Sequence, residues 1–147
     1  MLFRSVDPVE DAIAAPPYLW ALGAALSAFA LYAITLAPTT SFWDTSEYIA
    51  TAHTLGIPHP PGNPFFLVLA KTWSLLLAPT GLPVAVRINL FAAATSAAAT
   101  GFFYLVAHRV VVGVLQEPRL ARVGALASSV IGATAFTVWN QSNVNEK

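Results

Sequence analysis

No cysteine occurs in the 147 residues, so a disulfide framework and a thiolate metal site are both excluded. Charge is scarce as well. Asp, Glu, Lys and Arg make up 10% of the chain, against about 25% in an ordinary soluble domain. Seven basic and seven acidic residues cancel, which removes any general attraction to a polyanion. There is no Gly-rich phosphate loop, no nucleophile elbow and no His-Glu-x-x-His pair. Nucleotide binding and nucleic-acid binding therefore have no support.

What the chain has in quantity is apolar surface: 56% of its residues are hydrophobic and the mean hydropathy is +0.65. These values point to an all-α membrane protein with several spans. Residues 18–37 run for twenty positions without a charge, enough to cross a hydrocarbon core of roughly 30 Å. Tyr18 and Trp20 stand at the head of this run, where interfacial aromatics belong, and Pro38 ends it. Residues 88–107 form a second uncharged run of twenty, opened by small residues ("AAATSAAATG") that permit close helix packing. Residues 123–139 form a third, seventeen long. The first seventeen residues carry Arg4 against Asp7, Glu10 and Asp11, and the run behind them is too long for a signal-peptide core. The first span is therefore read as retained. The chain ends in "WNQSNVNEK" and reads as the N-terminal part of a larger protein.

A fourth apolar run, residues 65–77, is shorter and contains Lys71 and Trp73. Such a length fits a re-entrant or interfacial segment. Asn63-Pro64 before it predicts an N-cap with Pro at the first helical position, and "APTGLP" after it breaks the helix. Arg109, Arg119 and Arg122 cluster between the second and third runs, and short basic loops stay on the cytoplasmic side. Three spans satisfy that rule and four do not. The expected architecture is thus three transmembrane helices at 18–37, 88–107 and 123–139. Between the first two lies an outer loop, 38–87, with in-plane amphipathic helices at 45–55 and 64–77. The N-terminus is then cytoplasmic, and the loop shares the outer side with the tail.

The most unusual stretch is "SFWDTSEYIATAHTLGIPHPPGNP", residues 41–64, which gathers two of the seven acids and two of the three histidines. Asp44-Thr45-Ser46-Glu47 has the form of a capping box. Tyr48, Ile49, Ala52 and Leu55 follow helical spacing, with Glu47, Thr51 and Thr54 opposite. Asp44 and Glu47 are either caps on a surface helix or catalytic carboxylates, and a cap that fixes a side chain's direction serves both ends. In "IPHPPGNP", Pro58, Pro60, Pro61 and Pro64 enforce extended or turn geometry around His59. A single His near two acids could bind a divalent metal, but spacing alone fixes no ligand set, so no metal is indicated and no cofactor is expected. Lys71 is either a snorkelling cation or a phosphate ligand, and Arg87 at the mouth of the second span carries the same two readings.

Three segments together, "TLAPTTSFWDTSEYIATAHTLGIPHPPGNPFFLVLAKTWSLL", "VRINLFAAATSAAATGFFYLV" and "WNQSNVNEK", resemble a family of multi-pass membrane proteins long described as a domain of unknown function. Its animal relative looks like a lumenal protein O-mannosyltransferase, and the family is similar to the GT-C class of glycosyltransferases. The resemblance covers roughly residues 25–147 and rests on the combination W-D-x-x-E, H-P-P-G-x-P and R-x-N-L.

It implies a GT-C-like N-terminal module in a bacterial inner membrane, with its site on the periplasmic face. It implies an inverting transfer of a sugar, mannose by analogy, from a polyprenyl-phosphate donor to a hydroxyl of an acceptor protein or glycan. The partners are then the lipid-linked donor, the acceptor and membrane lipids. Asp44 and Glu47 are the catalytic candidates by this resemblance. His59, Lys71, Arg87, Asn89, Asn143 and Glu146 are the candidates for substrate binding. Two readings from other classes stand beside it: a non-catalytic membrane subunit or assembly module, and a transporter fragment. Against the latter, no charge lies inside the three long spans.

Overall fold

In the computed structural model, residues 15–40, 44–60 and 62–143 are described, and all regular structure among them is helical. Six α-helices follow in order: α1 Tyr18–Ile34, α2 Thr45–Thr54, α3 Pro64–Leu76, α4 Val84–Leu115, α5 Pro118–Thr134 and α6 Phe136–Asn143. A 3₁₀ turn, Ala78–Thr80, separates α3 from α4.

Helix lengths revise the expected spans. The second grows to 32 residues in α4, about 48 Å of helix, because His108 and Arg109 carry polarity without breaking a helix. It ends where Gln116 enters the left-handed region at φ 55°. Glu117 then caps α5 by accepting the Arg119 N–H at 3.0 Å, with Pro118 at the first helical position. The expected third span is not one helix. It begins earlier, at Pro118, and Ala135 leaves helical geometry with ψ 132°, so α5 and α6 meet at a bend of 63°. The expected first span is a shorter apolar helix of 17 residues, about 26 Å long. Among the described residues, only α4 is by itself long and apolar enough to cross a membrane; the bent pair α5–α6 also meets that measure if taken together.

The chain divides into two compact units, Met1–Ala28 with Ala97–Ala135, and Phe29–Ser96 with Phe136–Lys147. In the first, alanines line the interior together with Tyr104 and Val112, and many large apolar residues lie outside. Ala21, Ala24, Ala97, Ala121 and Ala125 are buried, whereas Leu19, Phe102, Val114, Val123 and Ile131 are exposed. Alanine-lined interiors with large apolar side chains outside are common where helices pack closely in a membrane. Gly101 marks the closest approach. A Cβ there would lie 3.1 Å from both the Ala21 carbonyl oxygen and the Ala25 Cβ. Gly101→Val is expected to destabilise the protein by about 1–3 kcal/mol, read as a lower thermal midpoint in detergent.

The second unit has a conventional core of Tyr48, Ile49, Ala52, Leu67, Ala70 and Ile88, with Phe66 and Phe91 packed against it. Aromatic rings run through it in sequence. Tyr48 meets Phe66 edge-on at 5.8 Å, Phe66 meets Phe91 at 5.8 Å, and Phe91 meets Trp73 at 6.0 Å. Geometries of this kind add to plain area burial. A polar clasp closes the unit's other end. The buried Asn143 side-chain oxygen lies 3.0 Å from Thr35 Oγ1, which also accepts the Trp139 indole N–H at 3.2 Å. The buried Asn89 amide donates to the carbonyls of Ala37 and Thr39 at 3.0 and 3.1 Å.

Candidate active site

The expected capping box at the start of α2 does not form. Asp44 occupies the N-cap position in right-handed helical geometry, φ −77° and ψ −5°, and its carboxylate caps nothing. Glu47 is engaged by the proline loop. Its two oxygens take the His59 backbone N–H at 2.7 Å and the His59 Nδ1 at 2.7 Å. The competing donors come from twelve residues away, and they win because the proline loop returns His59 across the head of α2. Leu55 starts that return in the left-handed region, φ 57°, with the Gly56 N–H bonded to the Thr51 carbonyl. Gly62, φ 67°, ends it and donates its N–H to the His59 carbonyl at 3.0 Å.

The result is an imidazole between two carboxylates. His59 Nδ1 faces Glu47, and His59 Nε2 lies 3.5 Å from Asp44 Oδ2. Tyr48 supports the ring edge-on at 6.1 Å, and the Asn63 amide donates to the Tyr48 hydroxyl at 3.3 Å. Asn63 is therefore the N-cap of α3 by position, but its side chain makes no cap bond. All three side chains of the cluster keep access to solvent, at 42% for His59, 46% for Asp44 and 38% for Glu47. Asp44 is the most exposed of the three. Both acids also stand at the N-terminal end of α2, where the helix dipole interacts favourably with negative charge.

The remaining candidates have different surroundings. Lys71 Nζ donates to the His53 carbonyl in the last turn of α2. Arg87 Nη1 donates to the Ser74 carbonyl near the end of α3 at 2.6 Å. Each cation thus closes the C-terminus of the preceding helix, satisfying carbonyls that have no partner within it. Asn89 and Asn143 serve the polar clasp already described, and Glu146 lies outside the described residues. Two contributors escaped the sequence reading. Tyr48 was legible only as an apolar position of α2, although its i, i+4 relation to Asp44 places it beside the cluster. Trp73 was legible only as an aromatic inside the short apolar run 65–77. Its indole N–H is buried without a hydrogen-bond partner, as is Arg87 Nε.

Comparison with known proteins places this cluster in context. The family model described as the protein O-mannosyl-transferase TMEM260 N-terminal domain matches residues 44–147, a range that contains Asp44, Glu47 and His59. The protein O-mannosyl-transferase tmem260 of Dictyostelium discoideum is 32% identical over 83 residues, 56% of this chain and 10% of that protein. Protein O-mannosyl-transferase TMEM260 of Mus musculus is 36% identical over 83 residues, 56% of this chain and 12% of the mouse protein. The matched segment is about a tenth of the length of these relatives. No solved structure shows significant similarity.

Proposed function

Because this chain belongs to the protein O-mannosyl-transferase TMEM260 N-terminal domain family, we propose that it forms the acceptor-activating part of a membrane glycosyltransferase. The observation that carries the proposal is the accessible Asp44–His59–Glu47 cluster inside the matched range. The relatives' names supply the reaction class, mannosyl transfer to protein hydroxyls.

In this reading Asp44 is the general base. Glu47 is doubly engaged by His59, so Asp44 is the carboxylate better placed to receive a proton from the acceptor hydroxyl. The deprotonating oxygen attacks the anomeric carbon, the bond from that carbon to the donor's phosphate oxygen breaks, and the configuration inverts. The electron pair of the broken bond leaves on the lipid phosphate. The transition state has oxocarbenium character, as in glycoside hydrolysis. Lys71 and Arg87 keep N–H donors beyond those spent on carbonyls and stabilise the departing phosphate. The donor is a polyprenyl-phosphate sugar, with mannose the sugar. The acceptor is a protein or glycan hydroxyl.

The site faces the outer side of a bacterial inner membrane. Arg109, Arg119 and Arg122 hold the turn between α4 and α5 at the cytoplasmic surface, which sends the α2–α3 segment to the opposite face. There α2 and α3 lie along the membrane plane. The exposed Phe65, Val68, Leu75 and Leu76 of α3 supply the apolar surface for that placement.

The test is transfer by the full-length protein in nanodiscs, supplied in parallel with a polyprenyl-phosphate mannose and a nucleotide-activated mannose. The expected result is glycosylated acceptor peptide from the lipid-linked donor alone. Product formed only from the nucleotide sugar would overturn the donor assignment, and no product from either would overturn the enzymatic reading.

A further inference from the structure

We propose that His59, Asp44 and Glu47 form a binding site for one divalent transition-metal cation, of the zinc or manganese class. The claim concerns binding and holds independently of sugar transfer. One ligand atom from each of the three residues lies within 4.8 Å of the others.

The spacings separate into two kinds. Glu47 Oε2 stands 2.7 Å from His59 Nδ1, an ordinary hydrogen bond. Asp44 Oδ2 stands 3.5 Å from His59 Nε2, too far for a good hydrogen bond. It is close to the separation of about 3.4 Å between two ligand atoms on a tetrahedral cation with bonds near 2.1 Å. The ring is therefore held as metal-bound histidines usually are. One nitrogen is tied to a carboxylate that fixes tautomer and direction, and the other faces a second carboxylate at 3.5 Å.

The donor set narrows the cation. An imidazole with carboxylate oxygens suits Zn²⁺, Mn²⁺ or Fe²⁺ better than Ca²⁺ or Mg²⁺, which prefer oxygen alone. The support is rigid where it needs to be. Glu47 and Asp44 sit on the first turn of α2, and His59 is pinned through its own backbone N–H to Glu47 as well as by the Tyr48 ring. Solvent access to the ring and to Asp44 provides the entry path. A carboxylate has two oxygens, so Asp44 can ligate through Oδ2 and still present its other oxygen to an acceptor hydroxyl.

The experiment is Zn²⁺ titration of chelator-stripped full-length protein in nanodiscs, with bound metal counted by elemental analysis. Wild type and His53→Ala are expected to bind the same number of ions, since the exposed His53 is outside the cluster. His59→Ala and Asp44→Ala are expected to bind one ion fewer. Glu47→Gln is expected to keep the ion with about 10–100-fold weaker affinity. Equal stoichiometry and affinity in wild type and His59→Ala would overturn the proposal. So would the absence of saturable Zn²⁺ binding by wild type, a result that needs no variant to fold. Both outcomes leave the transfer assay to be judged by itself.

Discussion

Asp44→Asn is expected to lower sugar transfer by about 10²–10⁴-fold, the usual contribution of a positioned general base. Asparagine matches aspartate in shape and keeps an oxygen facing His59, but it cannot accept the proton. The variant should also remain folded. Asp44 makes no side-chain cap bond to α2, and its carboxylate is nearly half exposed. Loss of its charge at the head of α2 is expected to cost about 0.3–1 kcal/mol through the helix dipole, too little to unfold the protein. Paired measurements of transfer rate and thermal midpoint check both halves of the expectation. A normal rate would remove Asp44 from the base role. A low rate with a much lower midpoint would make the residue structural.

Tyr48→Ala is expected to cost about 3–5 kcal/mol, the range for deleting a large buried aromatic. Tyr48 is 2% exposed and is the point where the core of the second unit touches the site. It contacts Phe66 on one side and the His59 ring on the other, so its loss opens a cavity and frees the imidazole together. Tyr48→Phe separates these effects. It keeps both ring contacts and gives up the hydroxyl that accepts from Asn63, a hydrogen bond worth about 1 kcal/mol. Unfolding midpoints for wild type, the Phe variant and the Ala variant should fall in that order. A Tyr48→Ala loss under about 1 kcal/mol would contradict this account of the core.

Local chemistry was legible in the sequence and tertiary competition was not. Asn63-Pro64 announced the start of α3, and Gly81 with Pro83 separated it from α4, because proline and glycine act on their own residues' backbone. The acidic head of α2 was equally plain. The capping box was legible and did not form, since donors from His59 enter the choice only after the loop has folded back. The same reason hid the carbonyls that Lys71 and Arg87 serve, which lie eighteen and thirteen residues away in the chain.

The spans illustrate a second limit. Charge marks where a helix meets headgroups, not where it stops, so α4 continues through His108 and Arg109 to Leu115. The break at Ala135 carries no proline or glycine of its own, and an apolar run of the right length concealed it. Asn89 and Asn143 were candidates through the family resemblance, and the sequence carries no sign of their partners. Burial and bonding to the Thr35–Thr39 segment account for them as a clasp.

In the proposed mechanism the carboxylates and the imidazole act as one catalytic unit, and a double-mutant cycle on transfer distinguishes that from independent action. Rates are measured for the full-length protein as wild type, Asp44→Asn, His59→Gln and the double variant. Residues that act as a unit give losses that do not multiply. The prediction is that the double variant is slower than Asp44→Asn by no more than about threefold. Losses that multiply across the two positions, or a His59→Gln rate equal to wild type, would contradict it.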